Sequence, residues 1–264
     1  MTTVGDEEGT VGTARTKYLG DRGFANGSLY DAVRPDYPEA AIAELVGALG
    51  LDGSTRALDL GAGTGIFSRQ LRPFVGSLVA VEPSASMRET LCQTTEDVEV
   101  LDGRDDAIPL ADGSVDVVVV AQAFHWFDAP RALAEIRRVL VPGGGLALIW
   151  NERDESVDWM AALTRAMRWD AHRPYSSNID FASVVASGPF GGVQHFQFPH
   201  RQWLTADQVY RRVLTTSYIS IMADAEQRAL LGDVRRVVER LEEPIDFVYL
   251  TDLYVARAVG DPTA

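Results

Sequence analysis

The chain has 264 residues, 46% hydrophobic and 23% charged, the composition of one globular domain able to bury a substantial core. With 24 basic against 38 acidic residues and a formal net charge of −14, it lacks the basic patch or stripe that duplex nucleic acid or an anionic membrane requires, so neither is expected as a partner. A single cysteine, Cys92, leaves no intrachain disulfide and points to a reducing, cytoplasmic setting; there is no basic-then-apolar leader and no apolar run of membrane-spanning length.

Residues 1–16 are polar and read as a disordered tail, with 17–264 as a single domain. From Pro38, apolar Ile42, Leu45, Val46 and Leu49 recur at i, i+3, i+4 and i+7, predicting a helix that Gly50 closes. Residues 56–60 form an apolar strand that runs into a glycine-rich turn, and a helix follows over 65–71. A second strand spans 77–81 and ends at Glu82, followed by a helix over 84–93 and a third strand over 98–101. Residues 115–121 contain Val117, Val118, Val119 and Val120 in succession. Such a run has β-branched residues on both faces and marks a parallel strand covered on both sides. Asp128 caps the next helix, with Pro130 in its first turn and Leu133, Ile136 and Leu140 as its buried face. A break at Gly143–Gly145 precedes a fifth strand over 146–150. This alternation predicts a doubly wound α/β sheet.

Past Asn151 the alternation stops. Met160, Leu163 and Met167 define a helix over about 157–171, and a shorter helix runs over 180–186 to Gly188. Phe196 and Phe198 alternate with Gln197 in a strand. Thr205 and Gln208 make a capping box for a helix to about 217; another helix covers 225–241, and a terminal strand 247–259. The helical segments, about 155–188 and 205–241, are expected to lie over the carboxyl edge of the sheet as a lid.

The informative motif is Asp59-Leu60-Gly61-Ala62-Gly63-Thr64-Gly65, between a strand and a helix. Glycines there allow a tight turn and close ligand approach. Glu82, at the end of the next strand, is placed to accept hydrogen bonds from ribose hydroxyls. The pattern departs from a dinucleotide site: Ile66 stands where the third glycine would fall, and Asp59 would repel phosphate. A ligand bearing an ammonium group and no phosphate suits this turn.

With three further segments, Tyr30 to Pro38, Ala123-Phe124-His125-Trp126-Phe127, and Pro142-Gly143-Gly144 through Trp150-Asn151, the chain resembles a class I S-adenosylmethionine (SAM)-dependent methyltransferase, within the small-molecule group similar to trans-aconitate-type methyltransferases. The resemblance implies a Rossmann-like seven-stranded sheet with the last strand antiparallel, and SAM as cofactor. It also implies methyl transfer to a small-molecule acceptor, at an oxygen of a carboxylate or hydroxyl. Asp59 and Gly61 then fall near the SAM amino group, with Ala62 and Gly63 in the same turn; Glu82 falls at the ribose, and Arg104 and Asp105 at the adenine. Gln122 and Trp126 also fall at the cofactor. Tyr30 and Arg34 belong to an N-terminal flap over about 23–37 that covers the cofactor. Arg34 there pairs with the SAM carboxylate or, alternatively, forms a surface ion pair with Asp31 or Asp36.

His125 has two readings. It acts as a general base toward the acceptor, or, as favoured, it shapes the pocket wall, since a carboxylate acceptor needs no base. Trp126, Trp150 and Trp159 are candidates for the acceptor pocket. No His/Cys/Asp cluster has metal-ligand spacing, so no metal is expected. Two other readings keep the cofactor: a non-methylating enzyme such as a natural-product cyclase on the same fold, and a non-catalytic SAM-binding protein. The oligomeric state is not legible.

Overall fold

In a computed structural model the described residues are 27–169 and 180–260. The first helix, α1 (Gly27–Val33), is followed by α2 (Glu39–Leu49), which ends in a left-handed Gly50 as its apolar stripe predicts. Strand β1 (Arg56–Leu60) leads to α3 (Ile66–Leu71), and β2 (Ser77–Val81) to α4 (Ala85–Thr94). Next come β3 (Glu99–Leu101), β4 (Val115–Ala121) and α5 (Ala129–Val139). A long β5 (Leu140–Arg153) gives way to α6 (Asp158–Ala166) and α7 (Phe181–Ala186). Strand β6 (Phe190–Leu204), helices α8 (Ala206–Leu214), α9 (Ser217–Ser220) and α10 (Asp224–Val238), and strand β7 (Ile245–Ala258) complete the described chain.

The seven strands lie in the order β3-β2-β1-β4-β5-β7-β6. The first five pair in parallel, and β7 is antiparallel to both neighbours. The valine run explains why the sheet is covered twice. Val118 and Val120 pack with Leu133 and Ile136 of α5 on one face, while Val117 and Val119 pack with Leu45 of α2 and Phe67 of α3 on the other. Asp128 caps α5 through Arg131 N, and Thr205 with Gln208 forms the capping box of α8.

Three expectations need correction. The glycines at 143–145 do not break the chain between two elements. They form a bulge inside β5, where Val115 pairs with Leu140 but Val117 already pairs with Gly145. The strand near Phe196 is much longer than its aromatic core suggests, because β7 pairs with it from Phe190 to Leu204. The helix beginning at Ala206 stops at Leu214, and a separate short helix carries Tyr218 and Ile219 into the core.

The long ends of β5 and β7 project past the carboxyl edge of the parallel strands, where Arg153 pairs with Tyr249. Around this extension Met160 and Leu163 of α6, Val209 and Val213 of α8, and Leu230 and Val234 of α10 form a separate apolar cluster with Phe247 and Tyr249. That layer stands beside the edge where β1 and β4 end. Residues 1–26, 170–179 and 261–264, with the tail and the start of the flap, lie outside the described residues.

Candidate functional site

The neighbours β1 and β4 sit where the sheet order reverses. The chain leaves their carboxyl ends in opposite directions, and a crevice opens between them. A cavity of about 1200 Å3, its open mouth included, occupies this place. The glycine turn forms its floor. Gly61 N and Ala62 N both donate to Val81 O, at 2.8 and 3.2 Å, which ties the turn to the end of β2. Gly61, Gly63 and Gly65 have φ of 74°, 57° and 82°, a region in which side chains with a Cβ are strained.

Glu82 lines the cavity while only 7% exposed. One carboxylate oxygen accepts from Gly63 N at 3.0 Å and the other from Ser84 N at 2.8 Å. Desolvation nevertheless raises its pKa above the usual carboxylate value, so further hydroxyl donors would stabilise the charged form. Arg104 and Asp105 line the same cavity, with Asp105 accepting from Asp128 N at 3.2 Å. Arg88 holds Asp102, at 3.0 Å on each carboxylate oxygen, and also donates to Glu82 O.

Asp59 is not part of the cavity lining. It is wholly buried behind the turn, where Ser68 Oγ donates to Oδ2 at 2.6 Å and Oδ1 has no hydrogen-bond partner. Burial, with the nearby Glu82 charge adding to it, pushes its pKa up to about 7. Direct contact between Asp59 and a ligand is therefore not what this arrangement offers.

The N-terminal segment closes one side. Asp31 accepts from Thr64 Oγ1 at 2.7 Å and from Arg69 at 2.8 Å, docking α1 on the glycine turn. Tyr37 exchanges backbone hydrogen bonds with the Gln70 side chain and meets Phe67 edge-on. Arg34 turns inward, which overturns the surface ion pair: Asp31 is taken by Arg69, and Asp36 by His200 at 3.1 Å. The guanidinium lies 4.3 Å over the Tyr30 ring, and its Nε donates to Thr215 Oγ1 and another nitrogen to Thr215 O. Burial first, and Arg212 second, lower its pKa to about 10.

On the opposite side Gln122 leaves β4 with φ of 56°. This strained conformation is held by two bonds, Gln122 N to Ile149 O and Gln122 Nε2 to Asn151 O. A second cavity of about 700 Å3, again with its mouth, adjoins the first. The two share Tyr30, Arg34, Gln122, Trp126, Asn151 and Arg212. His125, Trp126 and Trp150 line the second cavity together; the imidazole lies 4.5 Å from Trp126 and 4.9 Å from Trp150, centroid to centroid.

Trp159 is not brought to either cavity. It packs edge-on against Phe247 in the helical layer, and Trp169 lines the second cavity instead. The sequence reading assigns no role to Asn151, Arg153 or Arg212, which also line it. Asn151 had a signal, since it ends the Trp-Asn pair; its side chain bridges Asp36 O and Thr251. Arg212 had none: in sequence it is one of two adjacent arginines on an amphipathic helix.

His125 Nδ1 is buried without a partner, and desolvation, assisted by Arg34, lowers the imidazole pKa to about 3. The ring is neutral at physiological pH and is a weak base. The unfolded chain takes up a proton near pH 6.5, whereas the folded one does not until about pH 3. The stability from keeping His125 neutral is therefore full above pH 6.5 and is lost as pH falls toward 3. Urea unfolding of the parent and of His125→Gln is expected to show the parent losing about 1–2 kcal/mol more between pH 7 and 5. Parallel pH dependences would remove His125 as the titrating group.

Residues 58–148 match the model of the methyltransferase domain. Over 209 residues the chain is 38% identical to an uncharacterized methyltransferase of Mycobacterium tuberculosis, covering 79% of this chain and 82% of that one. It is 31% identical over 218 residues to an uncharacterized methyltransferase-like protein of Schizosaccharomyces pombe, covering 81% and 85%. Among solved structures, a putative methyltransferase from an antibiotic biosynthesis pathway of Anabaena variabilis superposes with a TM-score of 0.60 at 19% identity, covering 83% of this chain and 97% of that chain.

Proposed function

The chain belongs to the class I SAM-dependent methyltransferases, and from that premise we propose that its acceptor is a small molecule methylated on oxygen, at a carboxylate or a hydroxyl. The observation that carries this reading is the second cavity, lined by His125, Trp126, Trp150 and Trp169, which shares a wall with the first. Its size suits a metabolite rather than a polymer.

In this reading the Gly61–Gly63 backbone and Arg34 hold the methionine part of SAM, Glu82 the ribose, and Arg104 with Asp105 the adenine end. SAM, when bound, supplies an activated methyl group on a sulfonium. The protein's own part is to align the acceptor and exclude water. His125 serves here as wall rather than base, since a carboxylate oxygen is already ionised and the imidazole is a weak base. Among the described residues no helix is long and apolar enough to cross a membrane, and we place the reaction in the cytoplasm without a nucleic-acid or membrane partner.

Incubation of the protein with SAM and pooled small-molecule acids and alcohols, read by mass spectrometry, tests this. The expected result is a product heavier by one methylene, formed in step with S-adenosylhomocysteine. A product of unchanged mass, with SAM intact, would instead point to non-methylating chemistry.

A further inference from the structure

The wall of the second cavity contains three guanidinium groups: Arg34, just after α1, Arg153 of β5 and Arg212 of α8. Among the described residues none of the three has a carboxylate within ion-pairing distance. Arg34 donates to Thr215, and Arg153 donates to Thr164 Oγ1 at 3.0 Å while lying 4.5 Å over the Trp169 ring. Arg212 Nε is buried and has no hydrogen-bond partner. Arg212 depresses the pKa of both other arginines, although desolvation is the larger cause for each. Like charges gathered in a cavity wall with too few counterions are costly, and such a cluster is stabilised where an anion completes it.

Resting on the methyltransferase reading, we propose that the acceptor carries a carboxylate that is not the methylated group and that docks between Arg153 and Arg212, with the body of the molecule held by the aromatic wall. The charge count favours a monoanion. Among the described residues the lining sets these three cations against one acidic side chain, Glu152. In the S-adenosylhomocysteine complex, which has no sulfonium charge, and with Arg34 assigned to the cofactor carboxylate, one positive charge remains among the described lining residues, which a carboxylate neutralises and a phosphate dianion exceeds. Trp126, Trp150 and Trp169 line the same chamber and offer flat apolar surface to the rest of the acceptor. Guanidinium is the side chain that meets a carboxylate with paired hydrogen bonds.

The test needs no knowledge of the natural acceptor. The protein saturated with S-adenosylhomocysteine is titrated with benzoate, its neutral counterparts benzamide and methyl benzoate, and inorganic phosphate, at constant ionic strength. Tryptophan fluorescence and the thermal midpoint are followed. Benzoate is expected to bind saturably and at least tenfold more tightly than either neutral analogue. Arg153→Gln and Arg212→Gln should each lose about tenfold of that affinity. Arg153→Gln should bind S-adenosylhomocysteine within about twofold of the parent, since Arg153 does not line the cofactor cavity. The proposal is overturned if benzoate acts no differently from chloride, if benzamide matches it, if both variants bind it like the parent, or if phosphate binds more tightly. Failure of the parent to bind S-adenosylhomocysteine would instead sink the underlying reading.

Discussion

Glu82→Ala is expected to weaken SAM binding by about 10- to 150-fold, the equivalent of about 1.5–3 kcal/mol for charge-assisted hydrogen bonds. The carboxylate is a single buried group with several duties: it fixes Gly63 N and Ser84 N, and it presents its remaining lone pairs to the cavity. Loss of affinity could therefore come from a loosened turn or from lost ribose contacts. Calorimetry with S-adenosylhomocysteine and its 2′-deoxy analogue separates the two. If Glu82 receives the ribose hydroxyls, the deoxy analogue binds the parent clearly less well, and the difference shrinks in Glu82→Ala. A folded variant with unchanged affinity for both ligands would exclude Glu82 from the site.

Gly61→Ala is expected to cost about 2–5 kcal/mol of stability and to abolish measurable SAM binding. Two effects add. A left-handed φ of 74° costs an ordinary residue about 1–2 kcal/mol, and overpacking about 1–3 kcal/mol more. The added Cβ would stand 2.7 Å from Ala123 Cβ, an atom fixed to the backbone, and 3.4 Å from the Phe127 ring. Ala123 Cβ cannot yield without moving the segment that carries His125 and Trp126, whereas the Phe127 ring is at ordinary contact distance. Gly47→Ala is the contrasting case. Gly47 is exposed within α2, and a Cβ there meets nothing within 4 Å. That substitution should stabilise the protein by about 0.5–1 kcal/mol through helix propensity. Chemical denaturation of both variants checks the pair, and a Gly61→Ala midpoint equal to that of the parent would show that the turn relaxes freely.

The sequence by itself determined the parts whose physics is local. Strand and helix follow from the period of apolar residues, as with the paired faces of Val117–Val120. The caps at Asp128 and Thr205 follow from side chains that reach their own backbone. The cofactor turn was legible for the same reason, because a short run of glycines between strand and helix, with Glu82 ending the next strand, fixes backbone shape within one βαβ unit. The tertiary structure alone decided matters that depend on distant segments meeting. Arg34 faces inward because Thr215, far along the chain, receives its hydrogen bonds. Trp159 was lost to the helical layer and Trp169 brought to the chamber by the packing of α6 against the ends of β6 and β7. Arg153 and Arg212 carry no motif, and their significance arises only where β5 and α8 bring two cations to one cavity. Charge and burial at a site are sums over everything that surrounds it, so they emerge only once the chain has folded.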